Sequence, residues 1–355
     1  MKKFSWLLVV ALVTLACKGL TGAPGAPIPT TAPASATEIV PAAIAPQASE
    51  TTAPATDVPA VTQDEVAGEK ARQHLAYLSD ELGQRVAGSQ TERQARDYIA
   101  GQFESFGYVT EVQEFSVTED DGGDSISLRS ANVIALKPGR SQREIIVGAH
   151  YDSTDDAGLG ADDNASAVGV MLEAAERIQA LETPFTIRFI AFGSEEINLN
   201  GSATFVSQMT RAEIDNTIAM INLDSLAAGD NTYIYSDEGQ KARLRDWTLT
   251  WAGQNSLDLQ TIRDVDLTYN GYGISDHFAF QQVGIPFVYF EATNWNLGDQ
   301  DGYTQVAQEY GEDGKVWHTR YDTLAYLDET FPGRVDAHLN LFTRCLLAIL
   351  TQYEE

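Results

Sequence analysis

The chain has 355 residues, with 51 acidic and 23 basic side chains, so its formal net charge is −28. This acidic balance argues against nucleic-acid binding, which needs a basic face, and against adsorption to anionic membrane surfaces. Hydrophobic residues make up 43% of the chain, which is enough to build a substantial core. The two cysteines, Cys17 and Cys345, are too few for a disulfide framework, and the sequence contains no CxxC motif.

The N-terminus has the pattern of a secretory signal. A basic start is followed by an apolar run over residues 4–16, which is shorter than the ~20 residues that a membrane span needs. The small Ala16 before Cys17 resembles a bacterial lipoprotein processing site. We therefore predict a signal peptide over residues 1–17 of the lipoprotein type, with ordinary signal cleavage nearby as the alternative.

A stretch rich in Ala, Thr and Pro follows, over residues 18–62. It holds eight of the chain's 12 prolines, and such a composition favours an extended tether over a packed core. The first 63 residues carry no net charge, so the whole excess of acid lies in the predicted domain, residues 63–355. We expect a soluble head that is secreted or held by a lipid anchor at the bacterial surface.

Hydrophobic periodicity predicts alternating helices and strands in this domain. Apolar residues recur at helical spacing in residues 63–82, 91–106 and 164–181. Apolar or β-rich runs occupy residues 132–136, 144–149, Phe185–Phe192, Thr217–Leu223 and 284–290. The alternation predicts an α/β fold with a mixed, mainly parallel central sheet flanked by helices.

Polar side chains follow three of the predicted strands. The first run ends at His150, the second leads into Glu195 and Glu196, and the third ends at Asp224. Ligands bind beyond the carboxyl ends of the strands in open parallel sheets, so these side chains should share one edge. Taken alone, each residue could equally be a helix cap, a turn residue or a surface charge. Their joint placement at the ends of neighbouring strands is what favours a site. Imidazole and carboxylate together suit Zn²⁺ or a similar divalent cation.

Six segments resemble the dizinc aminopeptidases of the bacterial leucyl-aminopeptidase type, whose relatives include glutamate carboxypeptidase and glutaminyl cyclase. The segments agree in order and spacing and are HYDS at 150–153, GADDNAS at 160–166, EE at 195–196 with GS at 201–202, Asp224, GYGISDH at 271–277 and WHTRYD at 317–322. The resemblance runs from about residue 70 to the C-terminus. It implies a phosphorylase/hydrolase-like zinc exopeptidase fold.

The resemblance also implies a role for each matching residue. His150 and Asp224 would bind one zinc ion, Glu196 and His318 a second, and Asp163 would bridge the two. Asp163 is chosen over Asp162 because the family's bridging residue lies three positions before the serine that matches Ser166. Glu195 would be the general base toward a water or hydroxide on the metals, and Asp152 would orient His150. Tyr272 matches a residue that stabilises the oxyanion in some members. His277, the other candidate ligand, matches a structural motif.

These roles predict a metalloprotease that removes N-terminal residues from peptides with a free N-terminus. Three alternatives stay open from the sequence: a glutaminyl cyclase-like acyltransferase with one zinc ion, a carboxypeptidase, and a non-catalytic receptor-like homologue. A carboxypeptidase needs basic groups for the substrate's carboxylate, and Arg263 and Arg320 are the arginines near the predicted site loops. A receptor-like homologue would show replaced ligands, and no predicted ligand is replaced.

Overall fold

The computed structural model describes residues 66–121, 124–155, 158–262 and 274–355. Four features named from the sequence lie outside these residues: the signal segment 1–17, the tether 18–62, Arg263 and Tyr272. Among the described helices, none combines the length and the apolar character that a membrane span requires.

One sheet crosses the described part of the chain. Its strands are β1 (Thr110–Asp121), β2 (Asp124–Lys137), β3 (Ser141–His150), β4 (Phe185–Phe192), β5 (Thr217–Leu223), β6 (Asn231–Tyr235), β7 (Leu259–Gln260) and β8 (Phe287–Thr293). Their order in the sheet is β1-β2-β4-β3-β5-β8-β6-β7. The central strands β4, β3, β5 and β8 are parallel, whereas β1/β2, β2/β4 and β6/β8 pair antiparallel. The predicted α/β fold with a mixed, mainly parallel sheet is therefore confirmed.

Helices cover both faces of the sheet. They are α1 (Glu69–Ala76), α2 (Gln90–Ser105), α3 (Ala167–Ile178), α4 (Asn200–Gln208), α5 (Arg211–Asn216), α6 (Arg243–Gln254), α7 (His277–Gln282), α8 (Leu324–Thr330) and α9 (Arg334–Gln352). In β3, Ile145 and Val147 join the larger core with α1, α2, α3 and α9, whereas Ile146 joins a second cluster with α4 and α7. Burial on both faces explains why the central strands are predominantly apolar.

Several element boundaries differ from the sequence prediction; for example, the strand predicted over residues 132–136 is part of the longer β2. Two of the differences have clear local reasons. The helix predicted over residues 164–181 begins at Ala167, because Asp163 and Asn164 have non-helical backbone angles. The strand predicted over residues 284–290 begins at Phe287. Gly284 has a φ of +90° and ends α7 in the left-handed conformation that glycine permits, so the chain turns before the strand starts.

Candidate metal centre

The predicted ligands collect at the carboxyl edge of the parallel strands. His150 is the last residue of β3, and Glu195 and Glu196 follow β4 after a short turn. Asp224 comes directly after β5, its backbone N–H donating to Phe290 in β8. Because β3, β4 and β5 are parallel neighbours, residues far apart in the sequence reach one place.

Asp163 lies between the two histidines. Its Oδ1 is 3.1 Å from His150 Nε2, and its Oδ2 is 3.1 Å from His318 Nε2. On the side of His150, Asp224 Oδ1 lies 3.5 Å from the same Nε2 atom. On the side of His318, Glu196 Oε2 lies 3.0 Å from Nε2. One carboxylate thus presents an oxygen to each of two separate groups of nitrogen and oxygen atoms.

Two carboxylate oxygens of this cluster are buried without a hydrogen bond. Within the described ranges, Asp163 Oδ1 and Glu196 Oε1 have no hydrogen-bond partner. A buried, unpaired carboxylate oxygen is costly, and a divalent cation removes that cost. Potential ligand atoms of His150, Asp163 and Glu196, and of His150, Glu195 and Asp224, form two groups within 4.8 Å. The residues present therefore fit a divalent cation.

The acids and imidazoles strongly shift each other's protonation. Burial raises the pKa of Glu195 well above its ordinary value, and burial with the charge of Asp163 raises the pKa of Glu196 to about 7. Burial alone would lower the pKa of His150, but the charges of Glu195 and Asp224 outweigh it and raise that pKa. Carboxylates held this close resist ionising together, and positive charge in their midst relieves the repulsion.

The Glu195–Glu196 doublet is held through its backbone by Asp152. Asp152 Oδ1 accepts from the N–H of Glu195 at 2.9 Å, and Oδ2 accepts from that of Glu196 at 3.2 Å. The imidazole of His150 contacts the backbone carbonyl of Asp152 at 3.2 Å through Nδ1, whereas Oδ1 lies 3.7 Å away. The carboxylate predicted to orient His150 is therefore engaged mainly with the glutamate turn.

Residues with left-handed backbone conformations flank the cluster. Ser194 has a φ of 57°, Ser225 of 49° and His318 of 53°. Such values are uncommon outside glycine, and they gather where side chains must be aimed against local preference. Asn164, next to the Asp163–Asn164 cis peptide bond, ties its segment to the end of β5 through Leu223 O and the N–H of Ser225.

Two further residues, Asp322 and Arg85, position the Asp163 segment, a role that was not predicted for either from the sequence. The buried carboxylate of Asp322 accepts from the backbone N–H of Asp162 at 2.6 Å and of Asp163 at 3.2 Å. The fully buried guanidinium of Arg85 donates to backbone carbonyls, among them those of Leu159 at 2.8 Å and Gly160 at 2.7 Å. Asp322 belongs to the segment WHTRYD, but Arg85 carries no local sequence signal.

The remaining candidates belong to neither of these two ligand groups or lie outside the described residues. The ring of His277 packs against the rings of Phe287 and Tyr289, at centroid distances of 4.4 and 4.9 Å, and its nitrogens have no hydrogen-bond partner among the described residues. Burial lowers its pKa to about 3 and keeps it neutral. Asp276 beside it is fully buried, and burial raises its pKa to about 7. Tyr272 belongs to the undescribed range 263–273.

Comparison with known proteins agrees with this architecture. The chain is 31% identical over 311 residues to the "Alkaline phosphatase isozyme conversion protein" of Escherichia coli K12, covering 80% of this chain and 90% of that protein. It is 28% identical over 207 residues to "Aminopeptidase YwaD" of Bacillus subtilis, covering 56% of this chain and 41% of that longer protein. The solved structure of BSAP, a zinc aminopeptidase from Bacillus subtilis, superposes with a TM-score of 0.65 at 17% identity, covering 82% of this chain and 97% of that one.

A family model described as "Peptidase family M28" matches residues 132–342, more than half of the chain. This match spans β2 to α9 and contains every predicted metal ligand. It confirms the enzyme class predicted from the sequence, a metallo-aminopeptidase, and the predicted kinship with the zinc aminopeptidases. The chain belongs to peptidase family M28.

Proposed function

We propose that this chain is a dizinc aminopeptidase. His150, Asp163 and Asp224 would hold one zinc ion, and Asp163, Glu196 and His318 would hold the other. The observation that carries the proposal is the placement of Asp163, whose two oxygens each lie 3.1 Å from a different histidine. A carboxylate in that position can bridge two cations, a role that a single-metal site would not require.

The donor set and its charge suit two zinc ions. Histidine nitrogen and carboxylate oxygen are common zinc ligands, although the same set admits other divalent metals. Two Zn²⁺ carry a charge of +4, which balances the four carboxylates of Asp163, Glu195, Glu196 and Asp224. When bound, such ions supply a Lewis acid for the substrate carbonyl and lower the pKa of a coordinated water.

Glu195 is our candidate for the general base. Its side chain is about 10% exposed, and its Oε2 lies 3.9 Å from His150 Nε2, at the edge of the cluster. The N–H bond to Asp152 fixes its backbone, so the carboxylate stays beside the position that a reacting water would occupy. There it can accept a proton at Oε2 and return it to the leaving amine. Tyr272 remains the proposed oxyanion stabiliser.

The substrates in this proposal are peptides with a free N-terminus. A protonated α-amine is a cation, and the carboxylate-rich edge attracts it. We further propose that residues 1–17 direct secretion, with a lipid on Cys17, and that residues 18–62 tether the catalytic head. This arrangement would place hydrolysis outside the cell or at its surface.

Metal analysis together with the Glu195→Gln variant tests the proposal. The wild-type protein should contain two zinc ions per chain and hydrolyse amino-acid anilides, and a chelator should abolish the hydrolysis. The variant should keep both ions and lose activity by ~10²–10⁴-fold, because only the proton acceptor is removed. Glu114→Gln, at an exposed acid of β1, is the matched control and should keep full activity.

Substrate profiling separates this proposal from the alternatives. Cleavage of free peptides, with no cleavage of N-blocked ones, is the expected result. Cleavage of N-blocked peptides from the other end would indicate a carboxypeptidase. Cyclisation of N-terminal glutamine without hydrolysis would indicate an acyltransferase. Tight zinc binding with no turnover of any peptide would favour a receptor-like homologue.

A further inference from the structure

Gln305 connects two loops of the metal centre without being a candidate ligand. It lies in the segment after β8 and is 2% exposed. Its Nε2 donates to Asp162 Oδ2 at 2.6 Å. Its Oε1 accepts from the backbone N–H groups of Val316 and Trp317, each at 2.9 Å. One amide therefore joins the residue before Asp163 to the residues directly before His318.

Asp162 is fully occupied by this arrangement. Its Oδ1 accepts from the N–H groups of Ala227 at 2.7 Å and Ala228 at 2.9 Å, while Oδ2 receives the amide of Gln305. The side chain is completely buried. Both oxygens are thus committed to hydrogen bonds, and Asp162 is a structural acid in contrast to the adjacent Asp163.

His318 needs external positioning more than the other ligands do. Its side chain is 38% exposed, so packing holds it less firmly than the nearly buried His150 at 2%. Its backbone has a φ of 53°, a conformation that residues other than glycine rarely adopt. The two hydrogen bonds from Val316 and Trp317 to Gln305 hold the chain immediately before this turn.

We propose that Asp162 and Gln305 form a positioning pair that fixes His318 relative to Asp163 and thereby sets the affinity of the metal site of Glu196 and His318. This inference rests on the proposed metal centre. The pair touches neither substrate nor metal in this scheme. It acts by keeping two ligands, 155 positions apart in the sequence, within reach of one cation.

Exchanging the two functional groups tests the pair directly. In Gln305→Glu, a second carboxylate faces Asp162, and in Asp162→Asn an amide faces the amide of Gln305. The double exchange restores every bond: Asn at 162 accepts from Ala227 and Ala228 and donates its amide to Glu at 305. That carboxylate then accepts from Val316 and Trp317.

Zinc titration of the metal-free protein against a chromophoric chelator gives the decisive measurement. The wild type should bind two ions. Each single exchange should lower the binding affinity for one of the two ions by at least tenfold. The affinity for the other ion should stay within about threefold of the wild-type value. The double exchange should return both affinities to within about threefold of the wild type. Gln308→Glu, an exposed position in the same segment, is the matched control and should change neither affinity.

The outcomes separate the positioning pair from the metal centre. A wild type that binds no zinc would overturn the proposed centre itself. A wild type that binds two ions, with single exchanges that bind both unchanged, would overturn only the positioning pair. Failure of the double exchange to restore the weakened ion would also overturn it. If Gln305→Glu does not fold, Gln305→Ala takes its place in the comparison, because alanine adds no buried charge.

Steady-state kinetics add a second readout. A purely structural defect lowers the fraction of active enzyme. The apparent kcat then falls at every zinc concentration, and KM stays unchanged. Loss of one ion in a folded enzyme should lower kcat at limiting zinc, and excess zinc should restore it for the single exchanges. The absence of any rescue by zinc in a folded, metal-deficient variant would contradict the proposal.

Discussion

Arg85 offers the most direct test of how the metal-binding loops are held. Its guanidinium is completely buried and donates to five backbone carbonyls, which belong to Leu78, Gly83, Tyr151, Leu159 and Gly160, at 2.7–3.0 Å. Burial lowers its pKa to about 10, so it remains charged at neutral pH. Arg85→Met keeps much of the volume but removes all five bonds. A buried carbonyl left without a donor costs ~1–3 kcal/mol. The bonds to Gly83 and Leu159 are only partly buried, and Gly160 O keeps the N–H of Ala165 as a donor, so the loss should be about 3–6 kcal/mol.

A loss of that size is a large part of the stability of a typical domain, which is ~5–15 kcal/mol. Urea unfolding, followed by circular dichroism, should therefore show Arg85→Met largely unfolded or with a much lower midpoint. Arg93→Met is the matched control, because Arg93 is exposed and makes one bond to Gly88 O, so its cost should stay below ~0.5 kcal/mol. A loss below ~2 kcal/mol for Arg85→Met would refute the view that these bonds hold the loops.

Other substitutions test burial and close packing. Burial raises the pKa of Glu92 from 4.5 to about 7, so the folded state keeps a proton that the unfolded chain releases. The free energy of unfolding should therefore fall by up to ~3 kcal/mol between pH ~4.5 and ~8 because of this group. Glu92→Gln can still bond Ser130 but cannot titrate, so urea unfolding at a series of pH values should show a smaller fall for this variant. A Cβ at Gly169 would lie 2.3 Å from the carbonyl oxygen of Ala71, so Gly169→Ala should cost ~1–3 kcal/mol. A Cβ at Gly101 in α2 would face open space, so Gly101→Ala should instead raise the free energy of unfolding by ~0.5–1 kcal/mol, which a higher midpoint of thermal unfolding would show. Equal midpoints for the two glycine variants would contradict the packing argument.

The central strands were predictable because burial on both faces leaves a plain sequence pattern. The bounds predicted for Phe185–Phe192 and Thr217–Leu223 coincide with β4 and β5. Thr110–Asp121 was not predicted as a strand, because it carries polar residues throughout and lies at the edge of the sheet. Edge strands lack the two-sided burial that makes an apolar run, so periodicity does not reveal them.

The grouping of candidate ligands was also predictable, since parallel strands end at one edge. The residues that hold those ligands were harder to find. Asp322 bonds to backbone groups 159 and 160 positions away, and Gln305 bonds to a carboxylate 143 positions away. Such contacts depend on which loops the fold brings together, and neither residue stands in a periodic pattern. Only tertiary structure separates a positioning glutamine from an ordinary loop residue.

Hydrogen bonding divides the acids around Asp163 into two groups with different physical roles. Asp152, Asp162 and Asp322 each accept N–H donors on both oxygens, most of them backbone N–H groups, so these carboxyl groups hold the loop backbone in place. Asp163 and Glu196 each keep a buried oxygen with no hydrogen-bond partner in the described part of the chain. A carboxylate whose oxygens already accept N–H donors has few free lone pairs for a cation. A buried carboxylate with an unpaired oxygen is destabilised, and binding a cation removes that cost. The three hydrogen-bonded acids thus fix the loops that carry Asp163 and Glu196. These two ligands are already in place before a metal binds, so metal binding need not order the loops.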